Sequence, residues 1–508
     1  MLSRARGDFD KADTQTDSPI QVVAQKMQTL GKIPVSVCHM TQNLLESGLK
    51  GVCEDLHLLL LDPDRFLFDK EMGTHENVDL LYRKGKLYGR DKEESLITDA
   101  FCRVSRGKSE AFFIGGFSGS GKSKLVNSLR DRVDAVGGYV LTYKCDDVSK
   151  EKPFYGIVTA LDQLCTIIQG RNTPEGLLAV ANNLKSAFGD DYWLLTSLLP
   201  NVCLLSSDFI VNRKPASETI NIRSVCFTLV RFVRVVSSPV HAIMLFLDDL
   251  QWADDTVFEV IHTILSDTLS CMFFVGTYRD NEVRSHHAIF NLIHKLEASN
   301  VPTTKLLLNG LNQEDLNTMI SDALCLFPRI CKPLSDIVFQ KTKGNPFFAL
   351  EFMESLRTRG LLRYNHQLKR WVWNESIIRS EEITDNVQYL LSSKLNGLPG
   401  NIQGLLKVLA CFGTTTSEVL IGYLGETIEY STIRDSLEHA INDGFVEKDG
   451  QSGFKFVHDK VREAAYNLIP ASDKNQVCVC FDNVHGPEIF LTYYRCNSFM
   501  HVSSLVSL

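Results

Sequence analysis

Gly116-Phe117-Ser118-Gly119-Ser120-Gly121-Lys122-Ser123 is the stretch from which the fold follows. It fits the pattern G-x-x-x-x-G-K-[ST], which has meaning only between a strand and a helix. Both neighbours fit. Ala111 to Ile114 is an apolar run, and Lys124 to Val133 has helical character, with Leu125, Val126 and Leu129 spaced for one buried face. Glycines let the backbone wrap tightly, so that N–H groups point inward at phosphate oxygens. A helix N-terminus adds partial positive charge. In this pattern Lys122 reaches the β- and γ-phosphates, and Ser123 offers a hydroxyl to Mg2+. Ser118, Gly119, Ser120 and Lys124 complete the candidate phosphate cradle. The bland alternative is a glycine-rich turn with no ligand.

Working outward, apolar strand-like runs alternate with helical patterns from residue 87 onward, which signals a parallel α/β sheet. Five runs qualify: Ala111 to Ile114, Tyr139 to Tyr143, Ile243 to Leu247, Met272 to Gly276 and Lys305 to Leu308. Each is short and continuous, as strands covered on both faces are. The third run ends in Asp248-Asp249. Acids at the carboxyl end of a parallel strand lie where an open α/β sheet binds its ligand. Asp248 is the candidate Mg2+ ligand, and Asp249 the residue that orients or polarises the attacking water. A solvated acid pair is the alternative. Trp252 alone reads as core, and Asp254 as a cap for the next helix. Arg279 follows the fourth run, where an arginine can stabilise phosphate charge; a surface salt bridge is the competing reading.

Beyond residue 311 strand signals vanish until about 365, with a helix start at Asn312 and a stop at Gly360. Helices return after 387. Phe445 to Glu447, an Asp449-Gly450 turn and Phe454 to Phe456 then read as a hairpin, and Asp459 to Leu468 as a helix. Helices with a two-stranded hairpin suggest a winged helix. The expected organisation is a disordered segment 1–20, a short helical linker 21–84, a P-loop core 85–310, a helical lid 311–386, a winged-helix-like domain 387–472 and a tail 473–508 with no clear period.

Bulk properties exclude several classes. With 508 residues the chain is too long for one core. Its 53 basic and 61 acidic residues give a net charge of -8, which offers no global attraction to nucleic acid. The 14 cysteines include no Cys-x-x-Cys, the nearest pair being Cys478 and Cys480, so no zinc-ligand spacing appears. No run approaches the ~18 apolar residues that span a bilayer. Arg4 and Arg6 are followed by acids rather than an apolar segment, so no secretory signal is expected and the location is read as cytoplasmic.

Together these residues resemble the STAND-type ATPases, whose Orc1-like or AAA-like domains occur in large bacterial transcription regulators and hybrid Ser/Thr–histidine kinases. Tyr88-Gly89-Arg90-Asp91-Lys92-Glu93 looks like the family's G-R-x-x-E entry motif. Leu247 to Asp254 is similar to L-D-D-L-x-W-A-D, Gly276 to Asp280 to G-T-Y-R-D, and Lys343 to Phe348 to the G-N-P-F-F lid motif. Phe456-Val-His458-Asp459 with Ala465-Tyr466 is similar to F-x-H-D…A-x-Y. The resemblance covers residues 85 to 472. It implies an α/β P-loop sheet in the order 5-1-4-3-2, with ATP or ADP and Mg2+ as ligands. It also implies that Gly89 and Arg90 lie near the adenine and that Pro346 lines the pocket from the lid. On their own, Gly344 to Pro346 read as a turn and His458 as a structural histidine.

The implied function is a slowly hydrolysing ATP switch whose nucleotide state sets the lid and winged helix, with protein signalling partners and nucleotide-dependent self-association. Two alternatives stand beside it. One is a nucleotide-binding scaffold without turnover. The other is an Orc1-like DNA binder, against which Lys460 and Arg462 are balanced by Asp459 and Glu463. No kinase catalytic loop precedes the P-loop, and relatives usually continue into helical repeats, so a truncated form of a larger kinase or regulator is also expected.

Overall fold

The computed structural model describes residues 37, 51–66, 79–83, 85–145, 154–205, 222–284, 286–366, 370–380, 387–413, 415–417, 421, 430–449 and 453–470. The expected disordered segment 1–20, the tail 473–508 and the hairpin turn at Gly450 lie outside them. The chain divides into two compact units, 90–309 with 383–508, and 1–89 with 310–382.

The first unit is built on five strands: β1 Glu110–Gly115, β2 Tyr139–Lys144, β3 Ile243–Asp248, β4 Met272–Tyr278 and β5 Thr303–Leu307. They lie in the order β2-β3-β4-β1-β5, with every pairing parallel. From the opposite edge this is 5-1-4-3-2, the order the resemblance implies. Strands β1 and β4 are buried along their whole length, and β3 up to Asp248. Both faces are therefore covered, which is why their sequences run apolar without alternation. Helices Tyr155–Arg171, Ile222–Val236 and Asp255–Leu265 share one core with the sheet, through Leu161, Phe232 and Ile261 beside Phe113, Leu245 and Phe274. Each such side chain contributes about 1.5–3 kcal/mol on burial. Asp254 caps the last of these helices, accepting from the Val257 N–H at 3.0 Å.

One helix differs from its expectation. The stretch after the glycine-rich loop is two short helices, Lys122–Asn127 and Arg130–Ala135. The Ser128 hydroxyl donates to the Leu125 carbonyl at 2.8 Å, and side-chain bonds of this type compete with the helix ladder. Leu125, Val126, Leu129 and Val133 are buried all the same.

The same unit includes the helices Val387–Asn396, Gly400–Cys411, Tyr430–Asn442 and Asp459–Asn467. With them is an antiparallel sheet in which Gly453–Phe456 lies between Val446–Asp449 and Thr415–Ser417. The strand at Thr415 was not foreseen; at three residues it is too short to carry a period.

In the second unit, helices Gln313–Leu324, Pro328–Thr342 and Pro346–Thr358 follow one another. Asn312 caps the first, accepting from the Asp315 N–H at 2.8 Å. Asp322 ties the preceding segment down: Lys86 Nζ donates to it at 2.7 Å and the Tyr88 hydroxyl at 2.9 Å. Residues 362–365 correct the reading that strand signals vanish until about 365. Leu362–Asn365 and Arg370–Trp373 pair as an antiparallel hairpin. Gly344 lies in the expected turn, and Asn345-Pro346 begin the helix that follows it. Asn345 accepts from the Phe348 N–H at 3.2 Å, and Pro346 takes the first helical position, where its missing N–H costs nothing.

Gly344 has φ +73°, and a Cβ there would stand 2.1 Å from the Leu311 carbonyl oxygen. Gly344→Ala is therefore expected to destabilise the chain by about 1–3 kcal/mol. Chemical denaturation of the two proteins side by side measures this; an unchanged midpoint would remove the steric account. Among the described residues no helix is long and apolar enough to cross a membrane.

Candidate functional site

Parallel strands deliver their carboxyl ends to one edge of the sheet, and the candidate residues of the sheet-bearing unit collect there. Register fixes the arrangement: Lys144 pairs with Asp248, Leu247 with Gly276, and Gly115 with Tyr278. The loop after β1, the acids after β3 and the arginine after β4 are thus neighbours in space, although more than a hundred residues separate loop from acids.

The loop is shaped by close backbone approach. A Cβ on Gly116 would stand 2.6 Å from the Leu308 carbonyl oxygen, so only glycine fits. Gly121 caps the following helix from the left-handed region, at φ +96°. Lys122 is 7% exposed, and its ammonium donates to the carbonyls of Gly116 at 2.9 Å and Phe117 at 3.0 Å. Burial pushes its pKa down, against the pull of Asp249 and Asp248. The Ser123 hydroxyl donates to Asp248 Oδ2 at 2.8 Å, and the Thr277 hydroxyl donates to Asp248 Oδ1. Ser118 and Gly119 are half-buried in the loop, and Lys124 is exposed on the first turn of the helix.

Asp249 is buried in the left-handed conformation, at φ +60°. Its N–H donates to Thr277 Oγ1 at 3.1 Å, and its carboxylate accepts from Gln251 Nε2 at 3.1 Å. Arg279 approaches the same carboxylate through Nε at 3.3 Å and a terminal nitrogen at 3.4 Å, and pairs with Glu282 at 2.8 Å. Burial raises the Asp249 carboxyl, with Asp248 and Asp459 adding like charge.

The sequence reading missed the residue at the centre of this cluster. Asp459 opens the helix Asp459–Asn467, and its carboxylate receives Arg279 at 2.5 Å and the ammonium of Lys144. Lys144 also lies 3.5 Å from Asp249. Against the rise that burial causes, Lys144 and Arg279 hold the Asp459 carboxyl below the ordinary range. The preceding His458 caps this helix, accepting from the Lys460 N–H at 3.1 Å. Burial keeps its imidazole neutral by lowering the pKa to about 4. The signal available was positional for Lys144, which ends a strand on the ligand edge. For Asp459 it was the F-x-H-D pattern.

Arg90 serves the loop from outside. Its guanidinium donates to the carbonyl of Ser120 at 3.3 Å and to that of Asn309. Gly89 and Pro346 belong to the other compact unit, where Gly89 lies in the left-handed region at φ +58° and Pro346 opens its helix.

The residues present fit a magnesium nucleotide. The Ser120 hydroxyl is buried with no hydrogen-bond partner among the described residues, and a Cβ on Gly121 would meet nothing within 4 Å. Among the described residues no group of three or more His, Cys, Asp or Glu is placed to hold a metal. A Mg2+ ion shared with phosphates needs only one or two protein ligands, and Ser123 and Asp248 would be those ligands.

Residues 86–272 match the model of the AAA ATPase domain. With the loop and the strand order, this makes the sheet region a P-loop domain of the AAA ATPase class. Hybrid signal transduction histidine kinase G of Dictyostelium discoideum is 23% identical over 80% of this chain, which spans only 14% of that protein's length. Among solved structures, a Signal Transduction ATPase with Numerous Domains (STAND) from Pyrococcus horikoshii, with a tetratricopeptide repeat sensor, is 16% identical. Its TM-score is 0.44, covering 84% of this chain and 51% of that one. Drosophila ORC bound to DNA is 10% identical, with a TM-score of 0.31 over 80% of this chain and 99% of that one. The loop geometry and the domain match, not these distant likenesses, define the class.

Proposed function

We propose that this chain is an ATP-binding, slowly hydrolysing switch of the STAND type. The observation that carries the reading is the engagement of Asp459. A residue 180 positions from Arg279 inserts its carboxylate among the cations beside Asp249. The nucleotide site and the C-terminal helices therefore share charged groups, and a change at one is felt at the other.

In this reading the Gly116–Ser123 backbone and Lys122 would hold the phosphates, and Ser123 and Asp248 would hold Mg2+, which would neutralise developing phosphate charge. Asp249 accepts the proton of the attacking water, and Arg279 steadies charge on the terminal phosphate once released from Asp459. Adenine selectivity, Pro346 as a lid contact, a winged-helix character for residues 387–472 and a cytoplasmic location rest on the family resemblance. DNA binding is disfavoured by the helix Asp459–Asn467. Its first residue faces the cations, Lys460 pairs with Glu463 at 2.6 Å, and Arg462 donates to the Ala410 carbonyl. No surplus positive charge is left on it for a phosphate backbone.

The scaffold alternative draws on one observation: three carboxylates, Asp249, Glu282 and Asp459, share Arg279. One experiment separates the two. The purified chain is titrated with ATP and ADP in Mg2+, and phosphate release is followed for hours. Binding of both with release on the order of 10⁻⁴–10⁻² s⁻¹, the range of unassisted switch NTPases, is expected. Binding without release above a Lys122→Ala control would replace the switch by the scaffold.

A further inference from the structure

Two cations meet on one carboxylate at the ligand edge of the sheet, and one of them, Lys144, has no role in the P-loop chemistry above. Lys144 ends β2 and Arg279 follows β4; β3, which carries Asp248 and Asp249, lies between them. Each cation donates to a different oxygen of Asp459, Lys144 to Oδ1 and Arg279 to Oδ2. The carboxylate is thus bridged as two oxygens of a phosphate would be. The contacts of the same cations with Asp249 are longer, at 3.3–3.5 Å. Asp459 is the carboxylate that both cations contact most closely.

All four side chains are largely shielded: Arg279 is 10% exposed, Asp459 15%, Asp249 7% and Lys144 29%. Withdrawing Asp459 would leave the two shielded cations with the longer contacts to Asp249 and, for Arg279, the pair with Glu282, and would free the Lys144 ammonium and one terminal nitrogen of Arg279 for a replacement anion. The available anion is set by position. Ser123 of the P-loop is bonded to Asp248, and Asp248 is the register partner of Lys144.

We propose that Lys144 and Arg279 form a two-cation receptor for the terminal phosphate of a nucleoside triphosphate, and that the Asp459 carboxylate fills this receptor in the conformation described here. The proposal rests on the nucleotide-binding reading and adds to it a residue, Lys144, and a competition. A triphosphate and Asp459 cannot both occupy the receptor, whereas a diphosphate leaves Asp459 in place. The receptor thereby distinguishes triphosphate from diphosphate.

Lys144 serves both occupants, so its removal from the native chain partly cancels. The test therefore uses the full chain carrying Asp459→Asn, alone and combined with Lys144→Met or Lys144→Arg. Affinities for a fluorescent non-hydrolysable ATP analogue and for fluorescent ADP are measured in Mg2+. Asp459→Asn is expected to tighten the triphosphate analogue about tenfold and to leave ADP within about twofold. In that background Lys144→Met should weaken the analogue about tenfold, again sparing ADP, while Lys144→Arg retains binding. Retained ADP affinity also reports that each variant is folded. Equal changes for both nucleotides, or none for the triphosphate, would overturn the receptor while leaving the P-loop reading intact. A native chain that binds neither nucleotide overturns both.

Discussion

Lys122→Ala is expected to lower the affinity for ATP and for ADP by at least about a hundredfold, while the chain stays folded. In the proposed function the ammonium is the cation the loop brings to the phosphates, and it is already desolvated: burial has pushed its pKa down. A buried cation on a rigid loop gives up little hydration when a phosphate arrives, so most of its attraction appears as affinity. The loop keeps its shape without it, because Gly116 is held against Leu308 and Arg90 holds the Ser120 carbonyl. Alanine frees the Gly116 and Phe117 carbonyls from the ammonium, at a cost of about 1 kcal/mol in stability. Fluorescence titration with labelled ADP and ATP, alongside thermal unfolding, makes the measurement. Unchanged affinity in a folded variant would remove the loop from the nucleotide site altogether.

The centre of the sheet is legible in the sequence because β1, β3 and β4 carry unbroken apolar runs, whereas β2 is interrupted by Thr142 and the edge strand β5 begins Thr303-Thr304-Lys305. The run Ile243 to Leu247 before Asp248-Asp249 is the clearest case. The hairpin Leu362–Asn365 and Arg370–Trp373 is not legible, since four-residue strands carrying Arg363, Asn365 and Arg370 offer no more alternation than a loop does. The break after Asn127 is hidden for a different reason: the apolar spacing of Leu125, Val126, Leu129 and Val133 continues across it. Within the site, the loop, the acids and Arg279 are readable one strand end at a time. Their partners are not. Lys144 and Asp459 lie 315 residues apart, and no local pattern encodes a pairing that only the fold creates. Thr277 falls in the same class, joining β4 to the end of β3 through hydrogen bonds with Asp248 and Asp249.

Asp249 and Asp248 are adjacent in sequence, yet the geometry separates their work, and Asp249→Asn exposes the difference. Asp248 continues β3, its oxygens accepting from the hydroxyls of Ser123 and Thr277, and it is the proposed Mg2+ ligand. Asp249 turns into the left-handed region, which directs its carboxylate to Gln251 and Arg279. Burial raises that carboxyl towards the range in which a base exchanges protons readily. Asparagine tolerates the left-handed backbone and keeps an oxygen for Gln251, so shape and phosphate contacts survive. What disappears is the group proposed to accept the proton of water. Phosphate release is therefore expected to fall by about 10²–10³-fold, with ATP affinity within a few-fold of the native chain. Asp248→Asn should do the reverse in one respect: it raises the Mg2+ concentration needed for ATP binding, because it strips charge from the metal position. Single-turnover phosphate release and Mg2+ titration of the two variants separate the roles. If Asp249→Asn hydrolyses at the native rate, the base lies elsewhere, and Asp249 acts only as the counter-charge that holds Arg279 and Lys144 in place.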